Sequence, residues 1–160
     1  MYRTFLTTAA LSALACAPLP GAAPAIELSL PVACALGKTC FIQNYVDVDA
    51  TPNAQDYLCG AATYNGHKGT DFRVLSARTA QRDIAVLAAA DGVVKGRRDG
   101  MGDRLISRTV QAPKGKECGN GVVVDHGGGW ETQYCHFRKG SVIVGRGQRV
   151  RRGDRLGAIG

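Results

Sequence analysis

Three histidines are all this chain has, His67, His126 and His136, and the first sits in a frame that could do chemistry. In "YNGHKGTDF", residues 64–72, an imidazole and a carboxylate, His67 and Asp71, stand four apart around Gly69. Fully extended, their Cα atoms would lie roughly 13 Å apart at about 3.3 Å per residue, too far to share one ion. A glycine between them permits the bend that would close the gap. A nitrogen and a carboxylate oxygen suit zinc, which binds each at about 2.0–2.2 Å. The spacing leaves two readings open: a pair of metal ligands, or a polar turn at the mouth of a strand.

The elements that must position these groups read as β structure. From about Tyr57 onward, short β-prone runs alternate with glycine: "TDFRVL", "DIAVLAAADGVVKG", "NGVVVDHGGG", "WETQYCHF", "GSVIVGRG" and "DRLGAIG". Such runs between turn signals predict an antiparallel β domain. No long stretch keeps a 3.6-residue apolar rhythm unbroken by glycine. The best helical candidate, "SARTAQRDIAVLAA", is read instead as a loop over 76–82 entering a strand at Ile84. "VVVDHGGGWETQYCHF" is read as a hairpin, with Gly127, Gly128 and Gly129 supplying the positive φ angles of a tight reversal. A period of two on its second strand puts Thr132, Tyr134 and His136 on one face and Gln133 and Cys135 on the other. Residues 96–118, long, charged and glycine-interrupted, are read as a surface excursion between strands.

At 160 residues the chain suits one domain. Its start has the pattern of a secretory leader: Arg3, an apolar run from Phe5 to Ala15, then Ala23-Pro24-Ala25. Residues 1–25 are therefore expected to be a signal peptide and the protein to be exported, periplasmic or extracellular and associated with the cell envelope. A rival cut before Cys16, with lipidation, is disfavoured by the flank Ala13-Leu14-Ala15, which lacks the usual large apolar residue. No stretch has the length of a transmembrane segment. Residues 26–60 form an N-terminal extension with a cysteine loop, and 61–160 the β core. Export puts the cysteines in an oxidising compartment. After the leader there remain Cys34, Cys40, Cys59, Cys118 and Cys135, an odd number, so at most two bridges form and one thiol stays over, or a partner is missing. Cys34 and Cys40 are close enough to close a small loop; spacing does not decide the other pairings. A zinc–thiolate site would want a C-x-x-C, and there is none.

Net charge is +7, and the excess lies late, where Arg138, Lys139, Arg146, Arg149, Arg151, Arg152 and Arg155 face only Asp154 among local acids. A basic exported protein suits an anionic polymer such as cell wall; a solvated charged face is the plainer alternative. Nucleic acid is not expected as a partner, because no aromatics interleave the basic stretch to stack bases.

"GHKGTDF" resembles the H-x-x-x-D motif of the lysostaphin/LytM-type zinc metalloendopeptidases, which cut peptide cross-bridges of bacterial peptidoglycan. The likeness continues in order through "VLAAADGVVKG", "GNGVVVDHGGGWETQYCHF" and "GSVIVGRGQRVRRGDRLGAIG", over roughly residues 60–160. It implies an all-β fold: an antiparallel sheet or sandwich core of the LytM type with long loops. It also implies Zn²⁺ as cofactor, a peptidoglycan peptide as substrate, His67 and Asp71 as metal ligands, and His136, in Y-x-H, as a catalytic histidine that is not a ligand. His126 matches a turn position and is left out of the site. The family completes its site with an H-x-H motif just beyond the L-G-x-x-G segment, on a final strand, and neither occurs before Gly160. The expectation is a fragment of a longer enzyme lacking the third ligand, with a natural truncation or an inactive relative as the other option. Two rival functions remain: a non-catalytic LytM-like module that binds wall or activates an amidase, and a carrier domain of the lipoyl or biotinyl kind. Lys95 lacks the exposed-hairpin setting that the carrier reading needs.

Overall fold

The computed structural model describes residues 25–80, 82–104 and 113–160. Apart from Ala25, the expected leader lies outside them, as does the stretch 105–112 within the expected excursion. The described residues are all-β save for one helical turn: β1 (Cys40–Asn44), β2 (Asp71–Val74), α1 (Ala77–Ala80), β3 (Ala85–Leu87), β4 (Gly92–Arg98), β5 (Gly121–Gly127), β6 (Trp130–Tyr134), β7 (Arg149–Val150) and β8 (Arg155–Ala158). The turn α1 replaces part of the loop expected over 76–82. Ser76 explains it, because its hydroxyl accepts the Thr79 N–H at 3.2 Å and caps the turn.

The strands form a four-stranded sheet in the order β6-β5-β4-β7 and two ribbons, β1-β2 and β3-β8, all antiparallel. β4 runs to Arg98, so the excursion expected from residue 96 begins later than charge and glycine content suggest. A bulge between Val94 and Gly96 leaves Lys95 as the extra residue, after which Gly96, Arg97 and Arg98 pair with Val123, Val122 and Gly121. The β5–β6 hairpin turns where expected, with Gly127, Gly128 and Gly129 at φ of 76°, 60° and 84°. Only glycine adopts three such angles in a row without steric cost.

One core holds the sheets together. Val122 and Val124 of β5, Val94 of β4, Phe137, Val142, Val144 and Leu156 are all buried in it. The alternation is visible at Val142, Ile143 and Val144, where the outer two are buried and Ile143 is exposed. Tyr134 anchors a corner, its hydroxyl accepting the Ala89 N–H at 2.8 Å. Buried Asn120 is fully used: its amide donates to the Met101 and Phe137 carbonyls and its oxygen accepts the Met101 N–H. The N-terminal residues belong to the same body, since Val32 bridges to Val86 and Ser29 donates to the Ala89 carbonyl.

The loop between β1 and β2 is built on carboxylates. Asp56 accepts the N–H groups of Leu58, Gly60 and Ala62 at 2.9, 2.9 and 3.0 Å. These bonds, the one from Gly60 foremost, hold its carboxyl below the usual carboxylate range. Part of the late basic excess is paired with distant acids: Arg138 and Arg155 both reach Asp83, and Arg152 reaches Glu27.

Two expectations follow. A Cβ on Gly157 would meet Phe137 Cδ1 at 2.5 Å and the Ser141 carbonyl oxygen at 2.9 Å, whereas one on Gly96 meets nothing within 4 Å. Gly157→Ala should therefore cost about 1–3 kcal/mol in denaturant unfolding, and Gly96→Ala should stay within about 0.5 kcal/mol. Because the folded pKa of Asp56 is depressed, its stabilisation is complete above the unfolded value of about 3.9 and is lost as pH falls through the folded one. Melting temperature should fall below about pH 4, and Asp56→Asn should make that fall shallower.

Candidate functional site

The chain from Tyr64 to Asp71 makes a turn and then a bend at Gly69 before entering β2. That bend brings the two groups together: His67 Nε2 and Asp71 Oδ1 lie 3.3 Å apart. His67 is buried and its ring is fixed twice. Nδ1 donates to the Tyr45 carbonyl at 2.7 Å, and the ring stacks on Tyr64 with centroids 4.4 Å apart. Asp71 is partly exposed, and its Oδ2 accepts the Asn44 amide N–H at 2.9 Å.

The carbonyl of Tyr45 can only accept, so Nδ1 carries a proton. In the neutral ring Nε2 is then a lone pair aimed at a carboxylate oxygen, two acceptors facing each other. A proton on Nε2 or a cation between them resolves the conflict. Donor atoms held about 2.0–2.2 Å from a tetrahedral zinc stand roughly 3.3–3.5 Å from one another, which matches the observed separation. The pair fits two positions of a metal site. Among the described residues no group of three or more histidine, cysteine, aspartate and glutamate side chains is placed to hold an ion.

The pair opens onto a groove of about 810 Å³ whose lining also includes Arg97, Glu117, Gln133 and His136. His136 does not continue the face of Thr132 and Tyr134, as strand alternation suggests. Its φ is 61°, a left-handed backbone angle, and β6 has already ended at Tyr134. The turn is held from both sides, by His136 N–H to the Cys118 carbonyl and Gly160 N–H to the His136 carbonyl, each 2.9 Å. The result places exposed His136 in the groove with Gln133 and Cys135, while Tyr134 stays in the core. His126 is remote from the groove lining. Its Nδ1 donates to the Asp91 carbonyl and its Nε2 bonds the Thr132 hydroxyl.

Among the described residues two disulfides form, Cys34–Cys40 and Cys118–Cys135, and Cys59 is a free, exposed thiol. The second bridge joins two groove residues on either side of His136's support. Sequence reasoning missed it, and also missed Tyr45, Asn44 and Tyr64. Tyr64 is an aromatic three residues before His67; the others lie more than 20 residues from the group each one holds and leave no local signal.

The model of peptidase family M23 matches residues 65–160, more than half of the chain and all of the groove except Tyr64. The chain belongs to peptidase family M23. M23 peptidases are metallopeptidases, so the H-x-x-x-D pair and the all-β fold stand in a setting of peptide hydrolysis. No curated protein and no solved structure matches the chain.

The bridge behind His136 is open to test. Cys118 and Cys135 are 17 residues apart, and replacing both by serine should cost about 3 kcal/mol of stability in urea unfolding, from loop-closure entropy. An unchanged midpoint would show that the bridge adds nothing to this wall of the groove.

Proposed function

We propose that the protein is an exported zinc metalloendopeptidase that hydrolyses peptide cross-links of peptidoglycan. The observation that carries this is the apposition of His67 Nε2 and Asp71 Oδ1, with the imidazole proton already committed to Tyr45 on the other side. Support comes also from family membership, since M23 peptidases act on peptidoglycan, from the leader pattern at the start of the chain, and from the net charge of +7, which suits an anionic wall.

In this reading His67 and Asp71 would supply two of the protein donors to the ion. When bound, zinc supplies an activated water and polarises the scissile carbonyl. The peptide lies along the groove. His136 donates a hydrogen bond to the carbonyl oxygen as negative charge gathers on it, which favours the transition state over the bound substrate. Two hydrogen bonds lock the backbone from which this donor extends.

A second reading, a non-catalytic module that binds wall or activates an amidase, draws on the two-donor set among the described residues. Zinc content of the full-length gene product separates the two. His67→Ala and Asp71→Ala should each abolish zinc retention after dialysis. His136→Ala should retain zinc and lower kcat on cross-linked peptidoglycan fragments by about 10²–10³. Zinc held equally well by both ligand variants contradicts the assignment, and full activity in His136→Ala contradicts its role.

A further inference from the structure

Among the described residues, every group that orients the side chains of His67 and Asp71, beyond their contact with each other, lies before residue 65, where the family match begins. Two of the three come from consecutive residues, Asn44 and Tyr45, and nearby Asp47 holds the backbone around His67. Asn44 donates its amide N–H to Asp71 Oδ2 at 2.9 Å. The Tyr45 carbonyl takes the His67 Nδ1 proton at 2.7 Å. Asp47 donates its backbone N–H to the His67 carbonyl at 2.8 Å, and its Oδ2 accepts the Gly66 N–H at 2.8 Å. The same carboxylate accepts the N–H groups of Asp49 and Gln55, so the loop returning to His67 is tied to this segment at several points.

A bulge puts the segment in register. Ile42 pairs with Phe72, and the next pair is Asn44 with Asp71, leaving Gln43 as the extra residue. In an unbulged pairing Gln43 would face Asp71 and Asn44 would fall opposite Thr70. Bulges re-aim side chains at sheet ends in this way.

We propose that Asn44 is a positioning residue for the bound metal, and that residues 44–47 are an integral part of the M23 site in this chain rather than a flanking extension; this rests on the metal-binding reading above. Facing a carboxylate, the amide must present its NH₂ side. It ties Oδ2 and leaves Oδ1 as the single oxygen directed at His67 Nε2. A lysine or arginine at this position would tie the same oxygen but neutralise the charge that attracts the cation. The neutral amide fixes the carboxylate without discharging it. Groups that hold a ligand in this way typically govern metal affinity as well as activity.

The test is zinc affinity of the full chain, measured by competition with a chromophoric chelator, beside the melting temperature of the metal-free protein. Asn44→Ala and Asn44→Leu, the second nearly isosteric, should each weaken zinc binding about 10- to 100-fold with the metal-free melting temperature nearly unchanged. Ile42→Ala serves as the control. It loosens the β1–β2 ribbon one register pair away without touching either ligand, and it should lower the melting temperature while changing zinc affinity less than about threefold. Wild-type affinity in both Asn44 variants, or equal losses in all three, overturns this inference alone. No zinc on the unsubstituted chain overturns it together with the function proposed above.

Discussion

An imidazole lone pair held against a carboxylate oxygen is an arrangement that needs a positive charge between its members. The fold creates that situation at His67 and Asp71. Burial and a hydrogen bond fix the tautomer of the imidazole from behind, and an amide pins one carboxylate oxygen so that the other faces forward. Left free, a partly exposed aspartate would turn its charge to water. The bend at Gly69, the turn before it and the β1–β2 bulge all serve this one contact.

Another part of the groove depends on a different device. His136 sits at a left-handed φ, which costs a non-glycine residue energy that the surroundings must offset. Two backbone hydrogen bonds, the Cys118–Cys135 bridge and the burial of the neighbouring Phe137 provide that support. His136 thus follows directly on the four-stranded sheet, just past β6, while Asp71 opens β2 of the small β1–β2 ribbon and His67 lies in the loop before it. In the function proposed above, such support on both sides would keep these groups in place before a peptide arrives.

Much of this was legible in the sequence where the signal was local. Glycine at 127–129 announced its turn because only glycine tolerates those angles in succession. Cys34 and Cys40 announced their loop by proximity, and the odd cysteine count foretold the lone thiol that proves to be Cys59. The H-x-x-x-D frame drew attention to two residues that the fold does bring together. What was illegible depended on backbone geometry or on distant partners. Strand alternation misplaced His136, because one left-handed residue rotates the chain off its period. Charge and glycine content hid the second half of β4, where pairing resumes at Gly96 after a bulge at Lys95. The Asn44 and Tyr45 contacts join residues far apart in sequence, and nothing in either stretch alone marks them.

The most direct test is X-ray absorption at the zinc edge on the purified full chain loaded with one equivalent of zinc. The account predicts a nitrogen and oxygen shell at about 2.0–2.2 Å, with imidazole scattering and no sulfur. A shell with sulfur at about 2.3 Å, which would place the metal on Cys59, contradicts it, and so does the absence of bound zinc.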